Sequence, residues 1–414
     1  MLSGVRVLDF TQYLSGPSAT RLLAAMGADV IKVEFGPTGD QSRQLPQVVG
    51  GRSAYYVQQN RGKRSVAVDQ HHPEALRLLG ELARRCDVLA ENFGPGVLDR
   101  RGLGYAELSA VHPGLIYASI TAFGKTGPLA HLPGYDLIGQ AVGGMMHLTG
   151  EPDQPPMYTG SPIGDVSAGL TLFGAIGHAL YHRERTGRGQ QIDVSLVDPI
   201  FHMHSIAVQG WSATDGQWRQ QRAGRHFDAV VPSGTFRSPE GWVVIQVLDL
   251  QWPRFAQAIG RPEWAADPAY ATAPARRERQ AEILALVEAW TTSFTSDAAL
   301  LAILDEHRIA AAPVLDPVQA VGHPYFTDRP MVKQVPDPVL GRLDVPGFPI
   351  RFGERAEPDL DPPAPFAGEH NGVVLGELLG LGPDEVAALE AAGALWREER
   401  PEPASDGGTR ALRP

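Results

Sequence analysis

A strand that comes back after about a dozen residues of helix pairs in parallel with its predecessor, and this chain opens on that pattern. VRVLDF (5–10) is a short β-branched run. Gly16-Pro17 opens a helix, with proline in the first turn where its missing N–H costs little. The helix runs on from Ser18 to Met26 and Gly27 stops it. ADVIKVE (28–34) is the next strand. The pattern then repeats through RSVAVD (64–69), the amphipathic PEALRLLGELARRC (73–86), DVLAENF (87–93) and LIYASITAF (115–123). An apolar helix from Asp165 to about Arg183 and a strand QIDVSLVD (191–198) complete the region. These repeats predict an α/β fold whose large domain, residues 1–198, is an open parallel sheet of the nucleotide-binding type.

The pattern changes after that. Residues 199–225 are polar and read as a linker. Residues 226–330 predict a smaller α+β domain, with a strand pair around GWVVIQV (241–247) and helices near 251–259, 282–292 and 297–307. Residues 331–395 read as a linker and a return to the large domain, with a hairpin in VLGRLDVPGFPIRF (339–352) and two late helices in 372–395. The tail 396–414 is charged and poor in apolar residues, which predicts disorder.

Charge and cysteine usage narrow the function. The 414 residues carry a formal net charge of −11, the wrong sign for a nucleic-acid partner. Cys86 is the single cysteine, so one chain can form neither a disulfide nor a cysteine-based metal site, and a reducing cytoplasm fits. MLSGVRVLDF lacks the features of a signal peptide. No uninterrupted apolar run reaches about 18 residues, so no membrane partner is expected.

Several motifs carry little. The first turn, SGPSAT, has one glycine where a dinucleotide fold needs G-x-G-x-x-G, so Glu34 reads as a solvated strand-end acid rather than a ribose ligand. His202 and His204 have no acid at helical spacing, and His71 and His72 point apart, so no metal site is expected. A G-x-S-x-G nucleophile elbow is absent. What remains is GSPIGDVSAGL (160–170), which sets Asp165 at the mouth of a segment built for burial. Two readings stay open. Asp165 can be a helix N-cap, worth about 1 kcal/mol. It can also be an ionised nucleophile, favoured by the helix dipole and approachable beside Gly164.

LSGVRVLDFT, GPSATRLLAAMGADVIKVE, NRGKRSV, ENFGPGVLDRRGLGY, GYDLIGQAVGG, GDVSAGL and TGRGQQIDVSLVD follow one another in this order. In this the chain resembles the family III CoA-transferases, a group that includes formyl-CoA transferase, carnitine CoA-transferases and α-methylacyl-CoA racemases. The resemblance implies that Asp165 attacks an acyl-CoA thioester and that a carboxylic acid accepts the CoA. It implies CoA contacts from Ser15, Val68, His71, Asn92, Phe93, Gly94 and Arg100, with Arg101 assisting, and places Gly134, Tyr135 and Asp136 near the thioester. Backbone N–H groups around Gly164–Ser167 are expected to help hold the oxyanion. The CoA thioester is substrate, with no permanently bound cofactor, and the implied assembly is an interlocked homodimer.

Departures accompany the match. His71 stands where the family often has a basic residue, and Phe35 and Leu14 stand where formyl-CoA transferase has Arg and Gln. That enzyme's glycine-rich loop is missing from 205–235, which speaks against oxalate specificity. The racemases carry His where this chain has Tyr135, whose ordinary pKa of about 10 makes a poor base. A racemase and an inactive CoA-binding protein are the alternatives to a transferase.

Overall fold

The computed structural model describes residues 1–227, 229–353 and 362–399. The tail from 400 onward, part of the stretch predicted to be disordered, lies outside the described residues. Six strands form one sheet: β1 (Arg6–Asp9), β2 (Asp29–Phe35), β3 (Arg64–Val68), β4 (Val88–Glu91), β5 (Ile116–Thr121) and β6 (Gln191–Ser195). They lie side by side as β3-β2-β1-β4-β5-β6, and every pairing is parallel. This is the doubly wound order, which reverses direction between β1 and β4.

Helices cover both faces, so the strands read as nearly continuous apolar runs. Successive side chains alternate between the faces. Val7, Val30 and Val88 meet Leu23, Ala168, Leu172 and Ile176 from the helices Ser15–Ala25 and Ile163–Thr186. Leu8, Ile31 and Leu89 meet Leu78, Leu82, Val374 and Leu375 on the other side. Gly169 brings the first two helices unusually close. A Cβ there would lie 2.1 Å from Ser18 Oγ and 2.6 Å from the Ser15 carbonyl oxygen. Ile163–Thr186 has the length and apolarity of a membrane span, but Gly164, Ser167, Ala168, Leu172, Ile176 and Ala179 are buried in this packing.

Glu34 corrects the sequence reading. It is buried, not solvated, and its carboxylate meets Arg43 at 2.7 Å and accepts from Ser65 Oγ at 2.8 Å. Burial opposes its charge, but Arg43 and Lys32 outweigh it and hold the carboxyl down at about 2. The single-residue pattern of β2 could not show this, because Arg43 arrives from the short 3-10 helix Gln41–Gln44 that follows it.

The chain divides into two compact units. One comprises residues 1–144, 160–205 and 325 onward; the other comprises 145–159 and 206–324. The stretch read as a linker, 199–225, holds the helix Ala207–Ala213 and the end of Val197–His202. In the first unit the C-terminal return pairs with the outer edge of β3. Trp396 N–H donates to the Ala67 carbonyl at 3.1 Å, and Asp69 N–H donates to Ala394 at 3.0 Å. The hairpin forms earlier than predicted, from Val332–Asp337 and Gly341–Pro346. The second unit has an antiparallel sheet of Ser233–Ser238, Gly241–Gln246 and Ala310–Pro313 packed under Trp252, Phe255, Ile283 and Leu300.

Candidate active site

Asp165 is not the N-cap of its helix. The helix starts at Ile163, Pro162 holds the cap position, and no side chain there accepts from the first turn. Asp136 does the capping from another helix, Asp136–Val142. Its Oδ1 accepts the N–H groups of Gly164 at 2.7 Å and Asp165 at 3.2 Å, while its Oδ2 accepts from Gln140 Nε2 at 2.7 Å. The Asp165 carboxylate is thereby free of a capping role. The same bonds correct the oxyanion expectation: the N–H groups of Gly164 and Asp165 already have an acceptor.

The helix dipole does not decide the charge of Asp165. Burial comes first and the neighbouring Asp136 carboxylate second, and together they push the Asp165 carboxyl up to about 7. A hydrogen bond with Ser15 pulls the other way. Near neutral pH this acid sits between its neutral and nucleophilic forms.

Asp165 opens into a cavity of about 280 Å³. The cavity lies beyond the carboxyl ends of β1, β4, β5 and β6, where a doubly wound sheet leaves its crevice. Gln12 and Asn92 clasp across the reversal point. Gln12 N–H donates to Asn92 Oδ1 at 2.8 Å, and Asn92 Nδ2 donates to the Gln12 carbonyl at 2.7 Å. Just beyond, Phe93 N–H donates to Glu91 Oε2 at 2.8 Å, and Lys125 pairs with Glu91 at 2.5 Å.

The structure brings Ser15, Asn92, Phe93, Gly94, Gly134 and Tyr135 to the cavity that holds Asp165. Asp136 lies against the Asp165 backbone. Gly134 passes so near Ala122 that a Cβ would stand 2.8 Å from it. The other three candidates lie away from this cavity. Val68 is buried in the core at the end of β3, and His71 is exposed, with its N–H on Asp69 Oδ1 at 2.9 Å. Arg100 is exposed beside Gly96. Phe35 stacks with Phe93 at 5.8 Å, and the Arg101 guanidinium lies 5.4 Å from the Phe35 ring. A cation therefore reaches the place where the sequence offers an aromatic.

Two tyrosines escaped the sequence reading. Tyr13 lines the cavity and meets Tyr135 edge-on, with ring centres 6.1 Å apart. Tyr55 feels Asp165, Asp40 and Asp136. Burial and those carboxylates push its phenol well above the usual tyrosine range, so it stays a neutral hydroxyl. Nothing in QYLSGP or AYYVQQN marks either residue, because the acid they face is distant in sequence.

The profile of CoA-transferase family III matches residues 2–371. The chain is a family III CoA-transferase. It is similar to the succinyl-CoA–D-citramalate CoA-transferase of Chloroflexus aurantiacus, 37% identical over 396 residues, which are 94% of this chain and 97% of that one. It is also similar to the formyl-CoA:oxalate CoA-transferase of Streptomyces coelicolor, 34% identical over 413 residues and 99% of its length. Among solved structures, a CAIB/BAIF family protein from Brucella suis superposes with a TM-score of 0.80 at 36% identity, covering 91% of this chain and 99% of that one. As a member of this family the transferase is an enzyme that acts on a CoA thioester.

Proposed function

We propose that this transferase moves CoA from an acyl-CoA to a free carboxylic acid through covalent intermediates on Asp165. The observation that carries the reading is Asp165 itself: relieved of capping by Asp136, bonded to Ser15, and open to the cavity. An Asp165 oxygen attacks the thioester carbonyl. The C–S bond breaks, CoA thiolate leaves, and a mixed anhydride forms. The thiolate then attacks the Asp165 carbonyl of that anhydride, releasing the donor acid and leaving an aspartyl-CoA thioester. The acceptor carboxylate attacks this thioester, CoA thiolate leaves again, and its attack on the acceptor acyl carbon gives the new acyl-CoA and frees Asp165.

A carboxylate is a weak nucleophile, so holding it against the carbonyl carries much of the catalysis, and such positioning supplies about 7–11 kcal/mol. With the Gly164 and Asp165 amides occupied and the Ser15 hydroxyl bonded to Asp165, the neutral Tyr55 phenol is proposed as a donor for the developing oxyanion. Ser15, Asn92, Phe93, Gly94, Gly134 and Tyr135 are proposed to bind the CoA arm near the thioester. His71, Arg100 and Arg101 are proposed for the nucleotide end, whereas Val68, buried in the core, is not. The interlocked homodimer is proposed as well. Leu137, Ile138, Val142, Val166, Leu170 and Phe201 support it, since the first unit leaves these apolar side chains exposed.

Incubation with acetyl-CoA, a hydroxylamine quench and peptide mass spectrometry test the mechanism. A modified Asp165 peptide is the expected result. Exchange of acyl groups with Asp165 never modified would refute it.

A further inference from the structure

Tyr13 has a backbone φ of 64°. That is the left-handed region, where a bulky side chain is an outlier and its strain must be held by the surroundings. Here the hold is explicit. Tyr13 N–H donates to Asp40 Oδ1 at 3.2 Å. Asp40 Oδ2 pairs with Lys32 Nζ at 2.7 Å, and Lys32 also donates to the Thr11 carbonyl at 2.7 Å. Lys32 and Asp40 are both buried. Thr11 in turn is tied to Asp9 Oδ1 through its N–H at 2.9 Å and its hydroxyl at 2.5 Å.

A strained turn braced by a buried ion pair delivers one thing to the cavity, which is the Tyr13 ring. The ring stands edge-on to Tyr135 and shares the cavity wall with Asp165. Ser15, two residues on, bonds Asp165, so ring and nucleophile are fixed by the same short segment. We propose that Tyr13 is a specificity-determining residue: its ring limits the bulk of the acyl group that can stand against Asp165, and the Lys32–Asp40 pair positions it. The cavity of about 280 Å³ must admit the thioester end of CoA as well as the acyl group, so wall space taken by the ring is space denied to branched or aromatic acyl groups. This inference rests on the proposed role of Asp165.

Tyr13→Gly is the informative variant, because glycine accepts a φ of 64° and removes the ring without adding strain. Exchange is measured with acetyl-CoA, butyryl-CoA, isobutyryl-CoA and benzoyl-CoA. The kcat/KM ratio of isobutyryl-CoA or benzoyl-CoA over acetyl-CoA is expected to rise at least about tenfold in Tyr13→Gly, and to stay at the wild-type value in Tyr13→Phe. Asp40→Asn keeps an acceptor for the Tyr13 N–H but loses the ion pair, and it should shift the ratio the same way by a smaller factor. The melting temperature of Tyr13→Gly should equal or exceed that of the wild type. An unchanged ratio in Tyr13→Gly, with wild-type exchange intact, would overturn the role of Tyr13 alone. No exchange by the wild type with any donor would overturn the transferase mechanism, and this inference with it.

Discussion

The two units bury different things. The large one encloses ion pairs: Lys32–Asp40 and Arg43–Glu34 at 2.7 Å, Lys63–Asp9 at 2.9 Å and Arg52–Asp337 at 3.0 Å. The small one stacks aromatics, with Trp264 on Tyr270 at 4.2 Å and Trp252 beside Trp264 at 6.1 Å. Its buried Arg276 is held by the carbonyls of Val231, Tyr270 and Ala271 together with Asp249. Buried pairs add little net stability, because desolvation offsets their attraction. What they fix is geometry, and Lys32, Asp40, Lys63 and Asp9 converge on the loop that carries Tyr13 and Ser15. The aromatic unit stabilises by area and packing. Charge in this protein positions the chemistry, while the stacked rings hold a scaffold.

Substitutions on each side test that contrast. The largest effect is expected at Asp165: Asp165→Ala should lower exchange by about 10³-fold or more and abolish the covalent adduct. Trp264→Ala should instead cost about 3–5 kcal/mol of stability, while protein that remains folded in the cold still labels Asp165. Loss of labelling in folded Trp264→Ala would break the division.

Next comes Lys63→Met. It leaves Asp9 buried without its cation, which should cost about 3–5 kcal/mol. Adding Asp9→Leu should restore much of the melting temperature but not the exchange rate. Recovery of both would mean the pair positions nothing.

The pH profile gives a smaller effect. With Asp165 at about 7, kcat/KM should climb tenfold per pH unit below 7 and level off above it. Asp136→Asn removes the like charge and should move that limb to lower pH. A limb that stays in place would leave burial alone as the cause.

The smallest effect is on stability. A carboxyl whose folded pKa lies above its unfolded value holds its proton more tightly when folded. Wild-type stability therefore falls as pH rises from about 4 to 7 and is level above that. Asp165→Asn lacks this loss, so its melting temperature should exceed the wild type by about 5 °C at pH 8 and match it at pH 4. Equal values at both pH extremes would contradict the raised pKa.

How much of this the sequence shows depends on distance along the chain. The β-branched runs give β1 to β6 within a few residues, because both faces of a parallel strand are apolar. Asp165 stands out as a charge in an apolar stretch. Its cap reading fails because the true cap, Asp136, lies 29 residues away in sequence and reaches it only through the packing of two helices. Glu34 misleads for the same reason, since its cation Arg43 comes from the 3-10 helix beyond the strand. The left-handed backbone at Tyr13 leaves no trace in composition: the residue type argues against it, and only the Asp40 brace enforces it. Val68 and His71 follow the motif, yet one packs in the core and the other faces solvent.

The seam between β3 and the C-terminal return has a further consequence. Residues 367–398 are made long after β3, yet they supply partners for Ser65 and Ala67 and the core residues Val374 and Leu375. Until they arrive, the growing chain carries an unpaired strand border, a ready template for a neighbouring nascent chain. The large unit closes only once these residues have been made, so truncation near residue 360 should send it to aggregation rather than to a shortened enzyme.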